Sequence, residues 1–303
     1  MKMQEWVKLR EYPVADVLDR LIMDRTTGLP IIFAKEGFSV NGIEHGVREP
    51  MLTGTLIGFD SCEIQPRVSK TKEERAERTK SKAEVFTPSW LCNLMNNNFD
   101  TEWFGRENVF NTEDSSTKTW TATTAKVAFP QGKTWQQYVQ STRLEITCGE
   151  APFIVSRYDT VTGEAIPIPQ RIGLLDRKLR LINENVSEEK KWLTWVYKAF
   201  QSCYGYEFQG DNLLIARVNL LVTFVDYMVD RWGRKPTLSE LRKVTDIISW
   251  NFWQMDGLKG TVPYGGAIPV WGTDDKLHKE CIIYDWQKKE QVIFNSIKQD
   301  GVI

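Results

Sequence analysis

A chain of 303 residues with a formal net charge of −1 is long enough for one large α/β unit or two domains, and for a core that needs no staples. Apolar residues at 41% and charged residues at 26% sit near the globular average, which excludes a disordered or collagen-like chain. No unbroken apolar run reaches about 18 residues, so no bilayer-spanning helix and no membrane partner are expected. The opening MKMQEWVKLREYP lacks the apolar stretch of a secretory signal, and the cytoplasm is the expected compartment.

The five cysteines, at 62, 92, 148, 203 and 281, are odd in number and contain no CxxC, which argues against a disulfide framework and a zinc site. With only His45 and His278 present, Ser-His-Asp catalysis and His-rich metal sites start from a poor position. The near-zero net charge does not demand a nucleic-acid partner, which would need a local basic patch. The twelve tryptophans are scattered and read as core residues.

Residues 1–65 read as a small α/β extension. Val14, Val17, Leu18, Leu21 and Ile22 form a helical stripe, Pro30 to Ala34 suits a strand, and Thr53 to Phe59 suits a weaker one. Residues 66–82, PRVSKTKEERAERTKSK, hold seven Lys or Arg against three Glu and have no apolar face. They read either as a solvated helix or linker, or as a strip touching phosphates through Arg75, Arg78, Lys80 and Lys82. A helix is expected over 88–98, with Thr87 as N-cap and Pro88 at the first helical position. The Asn-, Thr-, Ser- and Asp-rich stretch 99–133 reads as a polar insertion or long loop.

Leu144 to Thr147 suits a strand, and Ala151 to Tyr158 a helix. Helices are expected over 170–183 and 187–201, a strand over Cys203 to Phe208, and a strongly amphipathic helix over Asn212 to Trp232. A further helix over 236–246, opened by Pro236 and Thr237, leads to a strand, Ile247 to Phe252, within 246–255. A Gly/Pro-rich loop over 258–275 and two short strands near 281–285 and 291–295 close the chain. Strands alternating with helices argue for an α/β fold with an at least partly parallel sheet, whose ligands sit beyond the carboxyl ends of the strands.

Three segments place chemistry there. In Glu145-Ile146-Thr147-Cys148-Gly149-Glu150-Ala151-Pro152-Phe153, an acid ends a strand and Gly149 lets backbone approach a ligand. In Gly205-Tyr206-Glu207-Phe208, Glu207 either accepts ribose hydroxyls, as the acid of dinucleotide-binding folds does, or is a surface carboxylate. No GxGxxG precedes it, which argues against NAD. In Met255-Asp256-Gly257-Leu258, Asp256 either meets an adenine amino group or is an ordinary turn Asp.

With Glu84-Val85-Phe86-Thr87-Pro88 ahead of them, these segments form an ordered set. The set resembles the N6-adenine DNA methyltransferases of bacterial restriction-modification systems, of the kind whose AdoMet motif X precedes motif I. EVFTPSWLCNLM stands as motif X, EITCGEAPF as motif I with Glu145 in the place of Asp, GYEFQGDNLLIARVNLL as motif II, and Asp256-Gly257-Leu258 as motif III. The resemblance spans about residues 83–258. It implies a Rossmann-like AdoMet-dependent methyltransferase sheet over 83–303, S-adenosyl-L-methionine as cofactor and DNA as substrate. It also implies cofactor contacts from Phe86, Thr87, Pro88, Glu145, Cys148, Gly149, Glu207, Phe208, Asp256 and Leu258. Thr87 and the motif I turn would hold the methionine part, Glu207 the ribose and Asp256 the adenine.

The family's catalytic motif IV, [DNS]-P-P-[YFW], is absent; two consecutive prolines occur nowhere in the chain. No residue of this chain is therefore expected to be catalytic, and a second methyltransferase subunit carrying an NPPY loop is expected as partner. The competing expectation is a catalytically inactive, methyltransferase-like DNA-binding or scaffold protein; a methyltransferase acting on RNA or protein amines is a third.

Overall fold

The computed structural model describes residues 6–35, 38–40, 43–58, 64–82, 87–266 and 279–299. In chain order it runs α1 (Leu18–Leu21), the antiparallel hairpin β1 (Phe38–Val40) and β2 (Ile43–His45), α2 (Thr53–Ile57), α3 (Lys72–Lys82) and α4 (Ser89–Phe104). The hairpin β3 (Asn111–Asp114) and β4 (Thr119–Ala122) precedes α5 (Trp135–Gln140), β5 (Arg143–Glu145), α6 (Leu174–Asn185) and α7 (Glu189–Gln201). Then come β6 (Cys203–Glu207), α8 (Gly210–Trp232), α9 (Leu238–Asn251), β7 (Phe252–Gln254), the hairpin β8 (Ile282–Asp285) and β9 (Glu290–Ile293), and α10 (Phe294–Gln299).

The chain is mixed α/β around a three-stranded parallel sheet in the order β5-β6-β7. Every residue of β7 is buried and only Tyr204 of β6 is not, as a sheet covered on both faces requires. The register aligns Glu145 with Gly205 and Glu207 with Gln254, so the three strands end at one edge. Cys203 and Phe252 face the main core with α6 to α9. Tyr206 and Trp253 face a second cluster with Ile283 and Phe294, under the C-terminal hairpin.

α8 is long and apolar enough, by length and composition, to cross a membrane; 83% of its most apolar window is buried against the rest of the chain, as in the central helix of a core. Its Arg217 is fully buried and donates to the carbonyls of Phe252, Leu21 and Met23 at 2.8, 2.5 and 3.0 Å. One guanidinium thus bolts the N-terminal segment to the sheet. α9 opens on a capping box in which Thr237 and Glu240 satisfy each other's backbone N–H groups.

Several expected elements differ. The stripe Val14 to Ile22 is buried as expected, but only four of its residues are α-helical. Pro30 to Ala34 makes isolated bridges (Pro30 with Met23, Ile32 with Pro50) and no strand, and residues 53–57 are helical. α4 starts at Ser89 with Pro88 as N-cap, and the cap bond comes from a distant carboxylate: the Ser89 N–H donates to Asp159 Oδ2 at 2.7 Å. Residues 152–158 form turns and no helix, and 247–251 continue α9, leaving only Phe252 to Gln254 as strand. A short apolar run does not by its period tell a buried helix end from a strand.

Residues 99–133, expected as a polar insertion or long loop, hold regular structure and core residues. They complete α4 and form the hairpin β3–β4, and Phe104, Val109, Phe110 and Val127 enter the main core. The polar residues there bury by pairing. The Arg177 guanidinium donates to Asp100, to the Asn93 side-chain oxygen at 2.9 Å and to the Ile172 carbonyl at 3.0 Å. The Tyr138 hydroxyl donates to Asp100 at 2.6 Å. A satisfied network of this kind makes a polar sequence a core sequence.

Candidate functional site

The carboxyl-end edge of the sheet gathers Glu145, the turn 147–151, Glu207 and the start of α8. In the turn, Thr147, Gly149 and Ala151 alternate at φ of 47°, 53° and 63°. Gly149 adopts this backbone without penalty, but each L-residue pays about 1–2 kcal/mol, and a β-branched one is a genuine outlier. Such strain persists only where the surroundings over-determine it. Here the Cys148 N–H extends the ladder to the Tyr206 carbonyl at 2.8 Å, and the Ala151 N–H closes on the Cys148 carbonyl at 2.7 Å. The Glu150 carboxylate accepts from the Tyr158 hydroxyl at 2.6 Å and from the Arg67 N–H at 2.7 Å.

Glu207 is buried at 7% exposure, and its carboxylate accepts three backbone N–H bonds: Gly149 at 2.9 Å, Phe208 at 3.0 Å and Gln209 at 3.1 Å. Burial pushes its carboxyl up, against the pull of those donors. A carboxylate offers about four acceptor positions, so about one is left for a ligand hydroxyl. Glu145 stands otherwise. It is 8% exposed; Oε1 accepts from the Phe153 N–H at a long 3.4 Å, the Ile154 N–H also favours its charged form, and Oε2 is buried with no hydrogen-bond partner among the described residues. Burial first, and then Glu207, drive its carboxyl well above the usual range. Cys148, buried between them, has its thiol pushed well up by burial and by both glutamates.

Thr87, expected as a cap, instead offers its carbonyl to the Thr160 hydroxyl at 3.1 Å and to the Cys92 thiol at 3.6 Å. Burial raises the Cys92 thiol, and Glu145 and Asp159 raise it further. Asp159, which caps that helix and also holds the Val161 and Thr162 N–H groups at 2.9 and 2.7 Å, escaped the sequence reading. Its only local signal is an Asp followed by the turn Val161-Thr162-Gly163. Phe86 lies outside the described residues.

Asp256 is a turn aspartate: Oδ1 accepts from the Leu258 and Lys259 N–H groups at 3.1 and 3.3 Å, and Oδ2 lies 3.4 Å from Lys259 Nζ. Leu258 is at the tip, 98% exposed. Phe208 sets its ring against Tyr264, centroids 5.7 Å apart, and its carbonyl accepts from Gln254 at 2.9 Å.

Gln254 also escaped the sequence reading. Its side chain exchanges hydrogen bonds of 2.9 and 2.8 Å with the Ile32 backbone, laying the segment 31–34 across the sheet edge. There the Phe33 carbonyl accepts from the Gly210 N–H at 3.2 Å, and a Cβ on Gly210 would collide with the Ile32 carbonyl. Sequence alone gave no sign that an N-terminal carbonyl occupies the start of α8.

Of the basic strip, Arg78 is not on the surface: it is 7% exposed and pairs with Asp211 at 2.8 Å, which removes it from the residues expected on phosphates. Arg75 is half-buried, with Nε 3.4 Å from the Thr71 carbonyl, and Lys80 is exposed. Lys82 ends α3, and its side chain is outside the described set. A cleft of about 640 Å³ opens on the other face of the sheet, floored by Leu144, Tyr204, Trp253 and Phe294, and none of the sequence-predicted residues lines it. No family model, no curated protein and no solved structure matches this chain.

Proposed function

We propose that this chain is the AdoMet-binding subunit of an adenine-specific DNA methyltransferase of a restriction-modification system, working in the cytoplasm with a second subunit that carries the NPPY loop and reads DNA. The observation that carries the reading is the pair Glu145 and Glu207, closing neighbouring parallel strands around a strained glycine turn. Glu145 Oε2 is a buried acceptor without a hydrogen-bond partner among the described residues, and such an orphan suits a cationic N–H group. AdoMet carries one in its methionine part and, when bound, supplies a methyl group on a positively charged sulfur.

In this reading Glu145 and the Thr147–Ala151 turn hold the methionine part, with Thr87 and Pro88 on the neighbouring helix start. Glu207 orders the turn through the Gly149 N–H and turns its remaining acceptor position to the ribose. Asp256 and Leu258 come from the third strand end and would reach the adenine only by rearranging their turn. The chain's own contribution is orientation and charge complementarity; a base flipped from the duplex would be held by the partner's loop.

Calorimetric titration of the chain with AdoMet, without DNA or partner, tests this. Saturable micromolar binding that weakens in Glu145→Gln supports it. Methyl transfer by the chain alone would overturn the split into two subunits. A second reading, a scaffold or DNA-binding protein that takes no cofactor, is favoured by the three backbone donors that already occupy Glu207, and it predicts no binding in that titration.

A further inference from the structure

The segment 66–82 is fastened at both ends to the two loops that carry the candidate site. At its start the Arg67 N–H donates to Glu150 Oε1 at 2.7 Å, in the turn after β5. Near its end, Arg78 places Nη1 2.8 Å from Asp211 Oδ2 and Nη2 3.3 Å from Oδ1. Its Nη2 also lies 3.5 Å from the Gln209 amide oxygen and 3.3 Å from that of Asn212. These three residues form the turn after β6 and the first turn of α8. Lys70 Nζ stands 3.8 Å from the same Asp211 carboxylate.

Burial alone would raise the Asp211 carboxyl; Arg78 and Lys70 more than offset it and hold it below the usual range. A forked guanidinium on a half-buried carboxylate fixes orientation as well as distance. The Gln209 N–H that this fork neighbours is itself a donor to Glu207. On the same helix Lys72 and Lys80 are exposed.

We propose that segment 66–82 is a strap across the carboxyl-end edge of the sheet, latched by the Arg78–Asp211 pair, and that a polyanion on its outer cations and the cofactor at the edge strengthen each other's binding through that latch. The latch stands on the contacts alone; its coupling to the cofactor rests on the function proposed above. The latched strap holds both loops in the arrangement that binds the cofactor, and it presents Lys72 and Lys80 on one fixed helix. Each ligand therefore favours the same state, and the coupling is reciprocal.

Amide hydrogen exchange of the full chain tests the latch. In Asp211→Asn the amides of Gly149, Phe208 and Gln209 should exchange about fivefold faster or more, while α8 from 213 to 228 keeps its protection. The swapped double variant, Arg78→Asp with Asp211→Arg, should recover part of the lost protection, and it decides the matter should the single variant lose α8 protection too. Unchanged exchange at the three amides, or a swap no better than the single variant, overturns the latch.

The coupling is read by titrating AdoMet with and without a short DNA duplex of mixed sequence. The duplex should tighten AdoMet about fivefold in the parent chain and leave Asp211→Asn unaffected. Equal affinities with and without duplex in a parent chain that does bind AdoMet overturn the coupling and spare the function. A parent chain that binds no AdoMet in either condition overturns the function and the coupling together, with the exchange data still deciding the latch.

Discussion

The turn after β5 and the turn after β7 look alike in sequence, an acid at a strand end with a glycine close behind, yet they differ in almost every physical respect. At Asp256 the glycine follows at once, both carboxylate oxygens are engaged and the tip is open to solvent. At Glu145 the backbone is strained at Thr147 and Ala151, and one carboxylate oxygen is buried without a partner. Asp256 stabilises its own turn, whereas burying Glu145 costs the fold stability, and the proposed cofactor role rests on that cost.

The sharpest way to break the contrast is Glu207, the carboxylate that ties the first turn to the second strand. Glu207→Ala orphans three backbone N–H groups and should cost about 2–4 kcal/mol in urea unfolding. The variant therefore reports on folding as well as on cofactor affinity, and affinity has to be compared at equal folded fraction.

Glu145→Gln should act the other way, stabilising the free chain by about 1–2 kcal/mol at pH 8 while weakening AdoMet. The sign follows from its raised carboxyl. A group that titrates higher in the folded state contributes its full stability below the ordinary carboxylate range and loses it as pH rises through the raised value. The gain from the substitution should therefore vanish near pH 4, and a gain of equal size at both pH values would contradict the buried, partnerless oxygen.

Thr147→Gly relieves a β-branched residue at φ 47° and should be neutral to stabilising by about 1 kcal/mol, after the entropy of the extra glycine is set against the strain. The smallest effect belongs to Asp256→Ala, about 0.5–1 kcal/mol by thermal melting, the worth of a side-chain turn bond at a wet surface. A cost as large as that of Glu207→Ala would erase the distinction between the turns.

Much of the scaffold was legible. The strand at 203–208, the helices over 174–185, 189–201 and 210–232, and the closing hairpin carry strong periodicity or clear caps, and they stand within a few residues of expectation. Among the expectations that did not survive contact with the structure are the strands at 30–34, 53–59 and 247–252, the helix at 151–158, Thr87 as N-cap and Arg78 on phosphates. Where polar residues went inside, a partner far away in sequence decided it. Asp100 buries because Arg177 is there, and Arg78 buries because Asp211 is there.

Local pattern, by itself, determined the long amphipathic helices and the strand at 203–208, and that the acids Glu145 and Glu207 stand at strand ends, because side-chain period and capping chemistry act over a few residues. Only the tertiary structure decided what those acids experience. Gly149 reaches Glu207 across 58 residues and Gln254 reaches Ile32 across 222, and no such donor is visible from its own neighbourhood. The free energy of a buried carboxylate is set by the donors and charges around it, and folding alone supplies them.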